Sequence, residues 1–178
     1  MDNLLTAISK IDEKYYHRHE RDFAYEFYHQ LRILKWPKNV EVSCETYKKR
    51  FSFSDKILLN PLLRQCFFKD EVNENRPIHR YPDLLIHEYE NRDQQLVAIE
   101  IKKQYTEDSI MRDLAKLAVY CKGRLKYKRG ILIVINPGRN FNRILERPNL
   151  KTFLQDFPEI QIWIARPDKQ LEIICKKQ

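Results

Sequence analysis

Glycine is scarce in this sequence: only three occur in 178 residues. Loops that cradle nucleotide phosphates with backbone N–H groups need several closely spaced glycines. Glycine-dependent nucleotide sites are therefore not expected. The cysteines are too dispersed for a zinc ribbon or a redox dithiol, both of which require close pairs; they occur at positions 44, 66, 121 and 175.

Long hydrophobic runs are missing as well. No apolar stretch approaches the ~20 residues that a helix needs to cross a bilayer. The start of the chain, MDNLLTAISKIDEKYYHRHERD, is too polar and too acidic for a secretory signal peptide. These absences predict a cytoplasmic protein with no membrane partner.

The sequence does have an excess of positive charge, with a formal net charge of +8 at pH 7. Hydrophobic residues make up 43% of the chain, which is typical of a folded domain rather than a disordered segment. A single domain is the simplest organisation at this length, and it would bury about 70% of the surface of the unfolded chain. A basic domain favours a polyanionic partner, nucleic acid first, because neutralising phosphates releases counterions.

Hydrophobic periodicity predicts an α/β fold, in which a mixed β-sheet is flanked by helices as an α/β/α sandwich. Alternation and apolar runs predict strands at 39–47, 82–89, 96–103, 130–137, 160–167 and 171–177. Helical spacing predicts helices at 19–35 and 108–122, the second capped by Asp108 or Ser109, and a partly helical segment at 140–157. Residues 48–80 have no clean period, and we interpret them as an insertion into one domain that spans residues 1–178.

The predicted strand LVAIEIKK carries two ionisable side chains on one face. Val97, Ile99 and Ile101 alternate as the residues of a half-buried strand do. Side chains two residues apart share a face, so Glu100 and Lys102 both point to the other side. A surface ion pair of little energetic value is the simplest interpretation of that pair.

A second interpretation involves Asp83, on the strand predicted just before. If the hairpin register pairs Asp83 with Glu100 or Lys102, the paired residues lie about 5 Å apart, whereas a slip of one residue separates the carboxylates. Two carboxylates, with the Ile101 carbonyl as a further ligand, suit Mg²⁺, which prefers oxygen ligands. A metal-acidified water can attack phosphorus, and an adjacent lysine can deprotonate that water or neutralise the phosphoryl charge. The alternative for Pro82-Asp83 is an ordinary turn.

The two motifs YPDLLIH and LVAIEIKK resemble the signature of the PD-(D/E)XK nuclease superfamily. Members of that superfamily share the restriction-endonuclease-like fold, which is the form of α/β/α sandwich that the resemblance implies. The similarity covers roughly residues 19–136, with a weak stretch at 48–80.

The resemblance assigns roles to individual residues. It implies that Asp83, Glu100 and the Ile101 carbonyl hold Mg²⁺, with Mn²⁺ able to substitute, and that Lys102 assists catalysis. The family's first helix carries a glutamate near its start that points at the metal. HERDFAYEF is similar to that helix, and we assign Glu20 to this role because it falls within the apolar stripe of the predicted helix. If the helix starts later, Glu20 is simply solvated.

Five further positions match the family less directly. VEVSCETY resembles a strand that carries an acidic–aromatic step in some members, and DLAKLAVY resembles the helix after the motif. Glu26, on the flank of the first helix, is the alternative to Glu20 as the glutamate of that helix. We expect Glu26 and the matching residues of the two segments to contact the substrate or the residues that hold the metal; the matching residues are Glu45, Asp113, Lys116 and Tyr120. The alternative for those on the second helix is that they form its polar flank.

Basic residues interleaved with aromatics, YCKGRLKYKRG, lie between a predicted helix and a buried strand, next to the proposed site. Such a segment can follow phosphates without reading bases; it can equally be solubilising surface. We expect contacts to the nucleic-acid backbone from Lys103, Arg124, Lys126, Lys128 and Arg129.

These observations predict a Mg²⁺-dependent phosphodiesterase that acts on nucleic acid, DNA rather than RNA. Without a recognisable reading domain, we expect recognition of substrate structure or backbone, or a partner protein that supplies specificity; a homodimer would suit double-strand cutting. Two alternatives stay open. One is an inactive nuclease-fold module that binds nucleic acid or a protein, and the other is a structural protein with an incidental match, whose two carboxylates would lie on opposite faces.

Overall fold

The computed structural model describes residues 1–44, 82–88, 95–123, 126–168 and 170–174. Within these residues the chain forms a six-stranded mixed sheet, flanked by helices on both faces. This confirms the α/β class. The insertion proposed at 48–80, together with Glu45 and Arg124, lies outside the described residues.

The strands lie side by side in the order in which they occur along the chain. They are β1 (Val40–Cys44), β2 (Leu84–Glu88), β3 (Gln95–Lys102), β4 (Arg129–Ile135), β5 (Ile160–Ala165) and β6 (Leu171–Ile174). The first three strands pair antiparallel, β3, β4 and β5 are parallel, and β6 returns antiparallel to β5. The two parallel steps require helical crossovers, which is where the longest helix is found.

Six helices cover the sheet in the described part of the chain. They are α1 (Asp2–Ser9), α2 (Glu13–His17), α3 (Glu20–Ile33), α4 (Glu107–Lys122), α5 (Asn140–Leu145) and α6 (Pro148–Asp156). The first three pack on one face of the sheet and the last three on the other. None of these helices is long and apolar enough to cross a membrane.

Strand β3 divides its side chains between the two cores. Val97, Ile99 and Ile101 are buried against α1–α3, whereas Ala98 is buried against α4. Because side chains alternate along a strand, Glu100 lies on the α4 face together with Ala98. A charged residue in the middle of this strand therefore faces a helix rather than bulk solvent, and its side chain is 2% exposed.

The helix α4 begins earlier than predicted. Thr106, rather than Asp108 or Ser109, is its N-cap. The Ser109 N–H donates to Thr106 Oγ1 at 3.2 Å, and the Thr106 N–H donates to Ser109 Oγ at 2.9 Å, which is a reciprocal capping box. This cap fixes the start of the helix that carries Asp113 and Lys116 to the sheet.

The position of β2 also differs from the prediction. The strand was expected to start at Pro82, but it starts at Leu84, so Asp83 lies just before it. Proline is common at the start of a strand, because it has no N–H to donate to the hydrogen-bond ladder. Asp83 therefore lies at the edge of the sheet, one residue before β2 begins.

Gly130 on β4 is expected to be intolerant of any side chain. A Cβ there would lie 2.6 Å from Ile160 Cδ1 and 2.9 Å from Leu117 Cβ. Gly130→Ala should lower the free energy of unfolding by about 1–3 kcal/mol, because α4 would have to shift off the sheet. Gly138→Ala is the matched control, since nothing lies within 4 Å of its added Cβ, and urea denaturation should separate the two. Equal stabilities would contradict this packing.

Candidate active site

The hairpin register brings Asp83 and Glu100 together. Leu84 pairs with Ile99, and the same register continued by one residue sets Asp83 opposite Glu100. Asp83 Oδ2 accepts a hydrogen bond from the Ile101 N–H at 2.7 Å. The paired register ends at Leu84, and Asp83 follows it at the level of Glu100, close enough that its charge helps to raise the pKa of Glu100.

The Ile101 carbonyl has no ladder partner from the end of β2. In an antiparallel pair, one residue's N–H and C=O point to the same neighbouring strand. Since the Ile101 N–H points to Asp83, its carbonyl points to that side too. The continued register sets Pro82 opposite Ile101, and Pro82 has no N–H to donate. The carbonyl is thus available as a ligand beside both carboxylates.

The amines at this site are arranged differently from the sequence expectation. Lys116 Nζ lies 2.7 Å from Glu100 Oε2 and 3.5 Å from Asp113 Oδ1. Lys102 Nζ lies 3.1 Å from Asp113 Oδ2. Lys116, which was expected only to contact the substrate or support the site, is therefore the amine next to Glu100, while Lys102 is held by Asp113.

Glu20 reaches the site from the other side of the sheet. It is the first residue of α3, and its Oε2 accepts the Lys103 N–H at 2.7 Å while Oε1 lies 4.0 Å from Lys102 Nζ. The sequence placed Glu20 inside the apolar stripe of its helix, but its side chain is 39% exposed. The helix begins at this residue, so Glu20 projects beyond the end of the stripe. Glu26 instead accepts a hydrogen bond from Gln30 Nε2 at 2.6 Å.

Burial dominates the electrostatics of the two carboxylates. It raises the pKa of Asp83 to about 6, with the Glu20 charge adding to the rise, while the Ile101 N–H and the charges of Lys116 and Lys102 oppose it. Burial also raises the pKa of Glu100 well above its ordinary value. Lys116 opposes that rise, whereas the Asp83 charge reinforces it. Both carboxyl groups therefore take up protons at a higher pH than ordinary carboxyl groups do, and added positive charge would oppose this.

Lys102 has the opposite tendency. Burial works against its charge, but the neighbouring carboxylates of Asp113, Glu20 and Glu100 together raise its pKa. An ammonium with a raised pKa stays protonated at neutral pH, so it stabilises negative charge and is a poor general base. Of the two roles considered for this lysine, charge neutralisation fits the structure better than deprotonation of water.

The residues 126–129 lie far from this site. Arg129 pairs with Val97 at the amino end of the parallel strands, and Val134 pairs with Lys102 at the carboxyl end. Along β4, Arg129 is five residues or about 17 Å from Val134, and three residues or about 10 Å from Leu132, the partner of Glu100. The expectation that Lys126, Lys128 and Arg129 lie next to the carboxylates is therefore wrong, although Lys103 does lie there.

Tyr120 is part of this more distant region. Its ring packs on that of Tyr127, with 5.7 Å between the centroids, and both side chains are buried. The Tyr127 N–H donates to the Tyr120 carbonyl at 3.0 Å. Tyr120 thus anchors the segment before β4.

Two clefts open beside Glu20, and one of them also reaches Asp83. Asp83 and Glu20 line a cavity of about 200 Å³. Glu20 also lines a larger cleft of about 770 Å³, together with Lys103 and Arg18, and the Lys103 ammonium donates to the Arg18 carbonyl. The sequence reasoning did not assign Arg18, although the basic stretch YYHRHE that contains it precedes Glu20 directly.

The donor set fits a hard divalent cation with only a few protein ligands. Among the described residues, no group of three or more His, Cys, Asp or Glu side chains is placed to hold a metal ion. Mg²⁺ needs fewer, because it keeps several waters and uses one or two carboxylates. Asp83, Glu100 and the Ile101 carbonyl supply such a set, and the buried Glu100 Oε1 has no hydrogen-bond partner.

No protein-family model, no curated protein and no solved structure matches this chain. Function therefore has to be inferred from the side chains themselves.

Proposed function

We propose that this protein is a Mg²⁺-dependent nuclease that hydrolyses phosphodiester bonds in nucleic acid. The observation that carries the proposal is the hydrogen bond that holds Asp83 on the Ile101 N–H, directly beside Glu100 at the carboxyl end of β3, with the amines of Lys102 and Lys116 close by. We further propose that the sheet and its helices are a restriction-endonuclease-like fold. The PD-(D/E)XK resemblance supports both proposals, and it favours DNA over RNA.

The residues of the site divide the work between them. Asp83, Glu100 and the Ile101 carbonyl would hold the cation, which when bound polarises the phosphoryl group and acidifies a water. Lys102, kept charged by its neighbours, neutralises the negative charge that develops on the phosphoryl oxygens. Lys116 orients Glu100 through the 2.7 Å ion pair.

Glu20 positions the basic side of the site. Its carboxylate holds the Lys103 backbone and approaches Lys102, so it fixes the end of β3 on which both lysines sit. The net charge of +8 supports a polyanionic substrate. Specificity would then come from a second copy of the chain or from a partner protein.

A second candidate function is an inactive module that binds nucleic acid or a protein. The observation that favours it is the closed set of ion pairs, in which Lys116 neutralises Glu100 and Lys102 neutralises Asp113 without any added ion. The unpartnered Glu100 Oε1 argues against it, because a buried carboxylate oxygen without a donor is costly.

Asp83→Asn tests the proposed function. The amide oxygen can still accept the Ile101 N–H, so the loop keeps its anchor while the charge is lost. We expect Mn²⁺ affinity, measured by calorimetric titration, to fall at least about 10-fold, since even residues that only support metal ligands cost 10- to 100-fold.

The control for this test is Asp156→Asn, an exposed aspartate at the end of α6, which should bind Mn²⁺ as the wild type does. Wild-type protein should also nick plasmid DNA in Mg²⁺ and not in EDTA. A wild type that binds no Mn²⁺ and leaves plasmid intact, yet still retains DNA, would favour the inactive binding module instead.

A further inference from the structure

A third cleft, of about 550 Å³, lies at the same edge of the sheet as the candidate active site. Three arginines line it: Arg139, Arg143 and Arg147. They belong to the segment after β4, and Tyr105, which follows β3, lines the opposite wall. The carboxyl ends of parallel strands are where open α/β sheets bind ligands, and this arginine cleft lies at that end of β3 and β4.

The arginine cleft carries uncompensated positive charge. Arg147 Nε lies 3.3 Å from Glu107 Oε2, and Glu107 is the one carboxylate of the cleft. Arg139 and Arg143 are exposed and form no ion pair with the described residues. Within the part of the chain that the structure describes, these two guanidinium groups have no carboxylate partner, and their planar donor forks match phosphate oxygens better than a lysine ammonium does.

The wall that faces the arginines is rigid. The Tyr105 ring meets the Phe141 ring edge-on, with 5.0 Å between the centroids, and its hydroxyl donates to the Gly138 carbonyl at 3.4 Å. Tyr105 thereby ties the segment after β3 to the segment after β4. The arginine cleft is held at a fixed distance from the end of β3, so a ligand could engage both sites at once.

That distance suits a nucleic-acid strand. Tyr105 is three residues beyond Lys102, so their Cα atoms are at most about 11 Å apart. Successive nucleotides of one strand rise about 3.4 Å along a duplex. A phosphate beside Lys102 and one beside Tyr105 are therefore separated by no more than about three nucleotides.

We propose that the arginine cleft binds the phosphate backbone of the nucleic acid, within about three nucleotides of the phosphate that reacts. This inference rests on the proposed function, since it takes nucleic acid as the substrate. Contacts of this kind position the substrate without reading its sequence. They also replace the role expected from residues 126–129, which lie at the other end of the strands.

The test compares two pairs of substitutions that remove the same charge. Arg139→Gln/Arg143→Gln alters the cleft. Lys35→Gln/Lys38→Gln alters exposed residues between α3 and β1, next to Val40, which pairs with the far end of β2. Arg147 is left intact, because its loss would also free Glu107. Binding to a short fluorescein-labelled DNA duplex is followed by anisotropy in EDTA over a range of salt concentrations.

The Arg139→Gln/Arg143→Gln variant should have a slope of log affinity against log salt that is shallower by about 1.8, since each phosphate contact contributes about 0.9 to its magnitude. If the variant and the wild type bind equally at 1 M salt, this difference in slope makes the variant bind about 30-fold more weakly than the wild type at 0.15 M salt. The lysine pair should change both quantities much less. Equal losses in the two pairs, or no binding by the wild type, would overturn the inference.

Plasmid nicking separates this inference from the proposed function. If the wild type nicks DNA and the arginine pair binds and nicks equally well, the cleft is not a backbone site while the nuclease proposal stands. If the arginine pair loses binding but the wild type never nicks in Mg²⁺, the cleft binds nucleic acid and the nuclease proposal fails.

Discussion

Glu100→Gln should lower the rate of plasmid nicking in Mg²⁺ by at least about 100-fold. Glutamine has the shape of glutamate but no charge, so one of the two carboxylates that would hold the cation is lost. Residues that merely support metal ligands cost up to about 100-fold when they are removed, and a direct ligand should cost no less. Nicking rates at several Mg²⁺ concentrations measure the effect, because a weakened site is partly rescued at high metal.

Glu172→Gln is the control for this substitution, since Glu172 is half-exposed on β6 and pairs only with Arg166. It should nick DNA at the wild-type rate. Full activity in Glu100→Gln would move the reaction to another part of the chain. Loss of activity in both variants would indicate a general effect of charge on DNA binding.

The same variant should change how stability depends on pH in the absence of metal. Burial raises the pKa of Asp83 to about 6 from 3.8, and it raises that of Glu100 as well. Between these values the folded protein binds more protons than the unfolded chain, so the free energy of unfolding falls as pH rises from about 4 through 6. Glu100→Gln should show a shallower fall, which urea denaturation in EDTA at pH 4.5 and pH 8 would measure. An equal fall would mean that Glu100 is not buried.

Much of the sheet could be predicted because alternation is a local signal. β3 shows Val97, Ile99 and Ile101 on one face, and the structure has them there. The helices α1 and α2 were missed, although Leu4, Ala7 and Ile8 have helical spacing and are buried. A helix of two turns is marginal by itself, and its stability comes from tertiary packing that no local window contains.

The site was harder to predict than the fold. The sequence gives the face of Asp83 and of Glu100, but the register that joins them is a property of the folded hairpin. Which ammonium reaches which carboxylate depends on how α4 crosses β3, so Lys116 could not be distinguished from Lys102. The location of Lys126 and Lys128 could have been predicted from the sequence. A helix between two parallel strands returns the chain to the amino ends of the strands, so residues just before β4 lie at that end.

Lys116→Met should cost about 3–5 kcal/mol of folding free energy at pH 8, which is the usual cost of removing one partner of a buried ion pair. The pair is well buried, with Lys116 13% and Glu100 3% exposed. Glu100 would be left with a charge that no ammonium neutralises at close range. At pH 5 the cost should be smaller, since the raised pKa of Glu100 allows it to take up a proton.

The control is Lys151→Met, which breaks an ion pair of the same kind at the surface. Lys151 and Glu146 are 53% and 74% exposed, so its loss should cost no more than about 1 kcal/mol. Urea denaturation of both variants at the two pH values gives the comparison. A Lys116→Met variant as stable as Lys151→Met would mean that Glu100 is already protonated in the folded protein at pH 8.

The double variant Lys116→Met/Glu100→Met completes the cycle. Replacing both members of a buried pair with apolar side chains is often neutral or stabilising, so we expect most of the lost stability to return. The interaction free energy obtained from the cycle then measures what Lys116 contributes to holding Glu100 ionised. A stable double variant that has lost nicking would indicate that the pair is kept for its chemistry, because the fold does not require it.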